Sequence, residues 1–173
     1  RRNRSGLLGL FLTVVLIMLA LLAPVLAPYD ELEMHAADRF APPSATYPFG
    51  TDEFGRDILS RILIGSRISF SVGLVSISIA TVVGVVIGLV AGYAGGWFDT
   101  LMMRIFDALL AFPAILLAIV ILAVLGAGAF TVMLAVAIVN IPAFARLTRA
   151  NVLVQKEEDY VEAARAVGSR TGR

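Results

Sequence analysis

Three carboxylates fall close together at Asp52, Glu53 and Asp57, a density that could hold a hard cation through oxygen. Their spacing lacks the regular oxygen-ligand pattern of a calcium loop. The surrounding stretch, FGTDEFGRDILSRILIG from Phe49 to Gly65, instead predicts a turn feeding a short amphipathic helix. Asp57 and Arg61 stand four residues apart there, suited to a surface ion pair worth a few tenths of a kcal/mol. Ile58, Leu59, Ile62 and Leu63 would share a face for the membrane interface, with Gly65 placed to end the helix.

Other chemically suggestive residues are isolated. Arg104 and Asp107 lie three apart at the entrance of an apolar run, where a charge is costly and defaults to a functional hypothesis; near a helix end the two can neutralise each other as a structural pair. Asn140 and Pro142 mark a bend, since proline removes a backbone donor and clashes with the preceding turn. Asn140 could cap the carbonyls so freed or face a pathway. The one histidine, His35, reads as a solvated loop residue beside Glu33 and Asp38. The chain has no cysteine, so thiol chemistry and thiolate metal sites are excluded. It has neither a His-Glu-x-x-His zinc motif nor a phosphate-binding Gly-x-x-x-x-Gly-Lys-Ser/Thr loop.

The most telling segment is polar. Asp159-Tyr160-Val161-Glu162-Ala163-Ala164-Arg165-Ala166-Val167-Gly168 follows four membrane-length apolar runs. Leu153, Tyr160, Val161, Ala164 and Val167 recur at roughly helical spacing, with charges on much of the remainder. Ala163 and Ala164 are small enough for another protein's surface to approach closely. Gly168 then breaks or turns the helix, since glycine costs about 1 kcal/mol relative to alanine inside one. A charged helix with a small face and a fixed break suits a grip for a soluble partner at the membrane surface.

These residues must be positioned by membrane helices. Hydrophobic residues make up 59% of the 173 and the mean hydropathy is +0.90, well above soluble domains at roughly 45–50% apolar. The apolar residues group into runs near the roughly 20 residues needed to cross a bilayer as helix: Leu7–Ala27, about Ile68–Ala91, about Ile105–Leu125 with Pro113 inside, and about Ala129–Ala145. The first is too long for the apolar core of a signal peptide. Gly84, Gly88 and Gly92 fall on one face of the second, where small residues let two helices approach closely. Gly92 to Gly96 reads as a flexible break before Trp97. The fold expected is an all-α polytopic transmembrane bundle, divided into a helix-plus-loop region at 1–66 and a second region at 67–173.

Charge asymmetry sets the expected orientation. Arg1, Arg2 and Arg4 precede the first run. Four crossings return the chain to the same side at Arg146, followed by Arg149, Lys156, Arg165, Arg170 and Arg173. The loop from Pro28 to Gly65 is acidic and poor in basic residues. The positive-inside rule puts the N-terminus and the polar tail in the cytoplasm. A net charge of +1 offers no global field for nucleic acid.

Together these segments resemble the permease subunits of ATP-binding-cassette importers. Glu162-Ala163-Ala164 with Gly168 matches that family's cytoplasmic EAA motif, whose short coupling helix docks on the ATPase. Gly50–Ser69 (GTDEFGRDILSRILIGSRIS), Gly92–Pro113 (GYAGGWFDTLMMRIFDALLAFP) and Ala145–Gly168 narrow the likeness to the C-type partner of the dipeptide, oligopeptide and nickel permeases. The resemblance implies a type I importer fold with four spans present and a cytoplasmic coupling helix. It further implies a heterodimer with a second permease, two ATPase subunits that bind ATP and magnesium, an extracytoplasmic solute-binding protein and surrounding lipid. No cofactor is expected on this chain. The chain opens without Met and stops at Arg173, before the apolar Ile-x-Leu-Pro end and two further helices of that family. It therefore reads as a piece not expected to transport alone. An ion-driven carrier would bind near the midplane through intramembrane polar groups, and these are few here; an intramembrane enzyme would need a convergent set of reactive groups.

Overall fold

The computed structural model describes residues 4–168, the side chains of Arg4 and Arg165 excepted. Arg1, Arg2, Arg170 and Arg173 of the topology argument lie outside those residues. The described chain is helical: α1 (Arg4–Leu26), α2 (Ile58–Ala94), α3 (Gly96–Leu110), α4 (Ala114–Leu125), α5 (Ala129–Lys156) and α6 (Asp159–Ala166), with a 3-10 turn at Ala36–Asp38. Its only extended pairing among the described residues is an isolated antiparallel bridge between Thr51 and Asp57. The all-α class is as expected.

Among the described residues three helices are long and apolar enough to cross a membrane: Ser5–Leu26, Ile58–Ala94 and Ala129–Lys156, of 22, 37 and 28 residues. The expected third run is not one helix. α3 and α4 meet at 95° and make a fourth span only if counted together. Pro113 has no N–H to donate and disfavours a helical residue before it; its own backbone is extended, at φ −55° and ψ 129°. At 1.5 Å per residue α3 and α4 are about 22 and 18 Å long, each short of a core of about 30 Å.

Two other boundaries differ from expectation. The interfacial helix and the second run form one continuous helix, because Gly65 does not end it. Nothing lies within 4 Å of where a Gly65 side chain would stand, and the modest cost of one glycine is outweighed by an unbroken ladder on both sides. α2 is thus about 55 Å long. The fourth run continues past Ala145 to Lys156, carrying its last turns beyond what a bilayer core requires.

The chain divides at Ser71/Val72 into two compact units. In the first, the segment between α1 and α2 is tied to itself. Tyr29, His35 and Tyr47 cluster with ring centroids 5.5 to 6.1 Å apart. His35 is therefore half-buried rather than the solvated residue expected; edge-on contact with Tyr29 and tilted contact with Tyr47 cover part of it, with Nε2 3.5 Å from Glu33. Tyr47 donates to Asp38 Oδ2 at 3.0 Å, and burial together with that carboxylate pushes its hydroxyl up to about 12.

Asp52 accepts from the Phe54 and Arg56 amides at 2.8 and 3.0 Å and pairs with the Arg56 and Arg61 guanidinia. Burial alone would raise its carboxyl; the Arg56 and Phe54 amides and the Arg56 charge outweigh that and hold it at about 2. Arg61 thus pairs with Asp52, not Asp57. Asp57 is 1% exposed and caps α2, its Oδ2 accepting from the Ser60 amide at 2.8 Å and hydroxyl at 2.7 Å. An aspartate just before the first helical residue satisfies a donor the helix leaves free. Asp52, Glu53 and Asp57 do not converge; among the described residues no three such side chains stand close enough to share an ion.

In the second unit α5 is the hub, with α3, α4 and α6 each packed on it. The C-terminal half of α2 joins them through its glycine face. A side chain at Gly84 would come within 2.7 Å of Phe144 Cβ, at Gly92 within 2.9 Å of Val152 Cβ, and at Gly88 it would overlap the Ala145 carbonyl. The two backbones touch because these positions have no side chain, the packing expected of small residues in lipid. Gly92 therefore belongs to the packed helix, and the break expected from Gly92 to Gly96 narrows to Gly95, between α2 and α3.

Candidate functional site

The polar tail is two helical pieces. α5 ends at Lys156, the chain turns at Glu157 (φ −98°, ψ 1°), and α6 starts at Asp159. The roughly helical spacing from Leu153 to Val167 spans two helices with a turn between them. Val161 and Ala164 are partly covered, whereas Tyr160, Glu162 and Ala163 are exposed. Tyr160, 63% exposed, donates from its hydroxyl to Gln155 Oε1 at 2.7 Å, bridging the turn. Asp159 and Glu162 stand in the first turn of α6, where negative charge favours the helix dipole. Gly168 has φ +82° with open space around it, a conformation that ends a helix and that L side chains adopt only with strain. The outcome is a short polar helix offering a glutamate, an alanine and an aromatic outward.

The arginine and lysine residues before α6 do more than signal topology. Arg149 grips Asp99 of α3 with two parallel bonds, Nε to Oδ1 and Nη2 to Oδ2, the second at 2.6 Å. The side chains are 31% and 14% exposed. Arg146 pairs with Asp107. The expected Arg104–Asp107 pair is therefore not formed: Asp107 turns to a partner 39 residues on, and Arg104 is exposed on α3. Lys156 donates to the Gly92 and Tyr93 carbonyls at 3.3 and 3.1 Å and stands 5.7 Å from the Tyr93 ring centroid. These carbonyls end α2 and lack helical partners, so a lysine there satisfies acceptors and complements the dipole.

Asn140 and Pro142 are on α5. Pro142 is fully buried. Asn140 Nδ2 donates to the Val136 carbonyl at 2.7 Å, not to that of Ile138, the carbonyl that Pro142 leaves free by lacking an N–H. Asn140 thus bonds a neighbouring turn. Sequence reasoning misses Asp99; its signal is an acid in the first turn of a helix opposite an unmatched arginine.

The model of the binding-protein-dependent transport system inner membrane component matches residues 84–173, more than half of the chain and every residue of this segment. The chain belongs to that family. A second model, the N-terminal transmembrane domain of oligopeptide transport permease C, matches residues 1–43. Curated relatives are similar along the chain. A dipeptide transport system permease protein of Alkalihalophilus pseudofirmus is 44% identical over all of this chain and 57% of its own length. A glutathione transport system permease protein of Pectobacterium atrosepticum is 48% identical over 98% of this chain and 56% of its own. A di/tripeptide transport system permease protein of Pseudomonas aeruginosa is 42% identical over 98% of this chain and 58% of its own. The chain spans a little over half the length of these relatives. Membership and the long apolar helices make it a multi-pass membrane protein of a family of transport-system components.

Proposed function

We propose that the full-length protein is one of two permease subunits in an ATP-binding-cassette importer for di- and oligopeptides, and that α6 is its coupling helix. In this reading a second permease completes the pathway, two ATPase subunits bind ATP and magnesium, and an extracytoplasmic binding protein delivers the solute. Residues 1–66 form the N-terminal helix and outer loop, and 67–173 belong to the permease domain. The N-terminus and α6 face the cytoplasm. Tyr160, Glu162, Ala163, Ala164 and Gly168 meet the ATPase and transmit force without doing chemistry. Closure of the ATPases draws the coupling helices together, and packed, bistable bundles convert that shift into a change of access.

The observation that carries this reading is α6 itself: a short exposed polar helix, stopped by a left-handed glycine, at the end of a membrane-length helix in a chain of this family. The names of the relatives, which cover dipeptides, tripeptides and glutathione, favour a peptide cargo over a nickel chelate or another small solute. Few ionisable groups lie mid-span, which weighs against an ion-driven carrier.

The test is uptake by proteoliposomes holding the full-length protein and its partners, with labelled Ala-Ala, glutathione and a nickel chelate offered in parallel. ATP-dependent entry of a peptide, unaffected by collapsing proton or sodium gradients, is expected. Glu162→Lys and Gly168→Leu should leave the complex assembled and hydrolysing ATP while uptake per ATP falls on the order of tenfold, within the usual range of coupling free energies. Normal uptake in both variants removes the coupling role of α6.

A further inference from the structure

α6 joins α5 through one turn at Glu157 and Glu158, so displacement of α6 passes first into the end of α5. Three ties leave that end. Lys156 holds the last carbonyls of α2, Arg149 grips Asp99, and Arg146 meets Asp107. The first two converge on the corner where α2 gives way to α3. Close packing of Gly92 against Val152 and the Arg149 carbonyl fixes the same corner to α5.

We infer that the Asp99–Arg149 pair is a strut, a positioning pair that carries displacement of α6 and the end of α5 into α3 and so to the break at Phe112–Pro113; this rests on the coupling role proposed for α6. A planar guanidinium bonded at two points to a carboxylate fixes direction as well as distance. α4 also packs on α5, but its side chains are all apolar and offer no directional bond. The Arg146–Asp107 pair is exposed on both sides, 44% and 65%, and exposed pairs carry little energy. Motion handed to α3 runs along a continuous ladder until it meets the 95° bend. There Pro113 contributes no donor, and the backbone turns most readily.

These 173 residues hold no cysteine, so single cysteines placed among them give a direct test in the assembled complex of the full-length protein, with exposed cysteines elsewhere in the protein and in its partners removed. Phe112→Cys, at a position 61% exposed, reports the break through its rate of maleimide labelling with and without ATP plus vanadate. Tyr160→Cys reports docking through cross-linking to the ATPase. Nucleotide trapping should change the labelling rate at position 112. In Asp99→Asn and Arg149→Lys backgrounds that change should shrink on the order of fivefold or more, while the cross-link from position 160 persists. Asp99→Arg combined with Arg149→Asp should restore it.

A pair that only holds the fold would lower the yield of complex and leave the nucleotide response of surviving complexes intact; that result overturns the strut. An unchanged labelling rate in the parent chain overturns it too. Should Asp99→Asn fail to assemble, Arg149→Lys, which keeps the charge and loses the fork, decides alone. Failure of position 160 to cross-link in the parent removes the coupling reading and the strut with it, whereas an intact cross-link with an undiminished response at position 112 removes the strut only.

Discussion

The segment between α1 and α2 and the segment from Arg146 to Gly168 are both polar stretches beside membrane helices, yet they are built on opposite principles. The first spends its charges on itself. Asp52 is shared by Arg56 and Arg61, Asp57 caps α2, Asp38 holds Tyr47, and three rings close the middle. The second places its ion pairs on its neighbours, α3 and the end of α2, and leaves α6 held by Tyr160–Gln155 and a partly covered Val161–Ala164 edge. Contacts within the segment thus close the first on itself. The second leaves Tyr160 and Glu162 exposed.

Two glycines with nearly the same backbone give the largest contrast. Gly55 has φ +76° and Gly168 has φ +82°. A side chain at Gly55 would also overlap the His35 carbonyl, while at Gly168 it would meet nothing within 4 Å. Gly55→Ala should cost roughly 3 kcal/mol or more, combining left-handed strain with a backbone clash that cannot relax cheaply. Gly168→Ala should cost about 1 kcal/mol from strain alone. Amide protection at His35 and Gly55, which bond to the Gly55 and Asp52 carbonyls, should collapse in the first variant and stay unchanged in the second. Equal effects at the two sites would erase the distinction between a closed segment and an open one.

Acid should separate the segments by a smaller margin. The Asp52 carboxyl is held at about 2 against an ordinary 3.8. A depressed folded value means that the charged carboxylate stabilises the native state above the ordinary value, and that this contribution is lost as pH falls through the folded value. Protection of the Phe54 and Arg56 amides, each referenced to its intrinsic rate at the same pH, should fall between about pH 4 and pH 2. The Val161 amide bonds to the Glu158 backbone carbonyl and should show no matching loss. Acid-insensitive protection at Phe54 would mean that Asp52 does not hold the turn.

What can be read in advance follows the range of the interaction. The first, second and fourth apolar runs, the face shared by Gly84, Gly88 and Gly92, and the stop at Gly168 depend on residues a few positions apart, and each appears in the structure. Ion-pair partners do not have that property. Asp107 chooses Arg146 and Asp99 chooses Arg149, 39 and 50 residues away, so local spacing favours the wrong partner, Arg104. Asp57 is an intermediate case. Its position just before an apolar helical run, with Ser60 three residues on, is a helix-start signal, but the spacing to Arg61 competes with it. Gly65 and Pro113 show the same balance in the backbone. Gly65 yields to the helix around it, whereas Pro113 breaks its run, although Pro142 is carried inside α5.

The smallest effect tests the tail by itself. Tyr160→Phe removes the hydroxyl that bridges to Gln155 and leaves the ring. The bond is exposed, so water replaces it readily and its loss should cost at most about 0.5 kcal/mol. Exchange of the Glu162 amide, which donates to the Glu158 carbonyl at 3.3 Å, should quicken by no more than about twofold. A large loss of protection throughout α6 would mean that the helix depends on this one bridge, and the tail would then be as internally tied as the segment before α2. A negligible change means that α6 keeps its shape without spending Tyr160, leaving that aromatic free to be buried against whatever covers it.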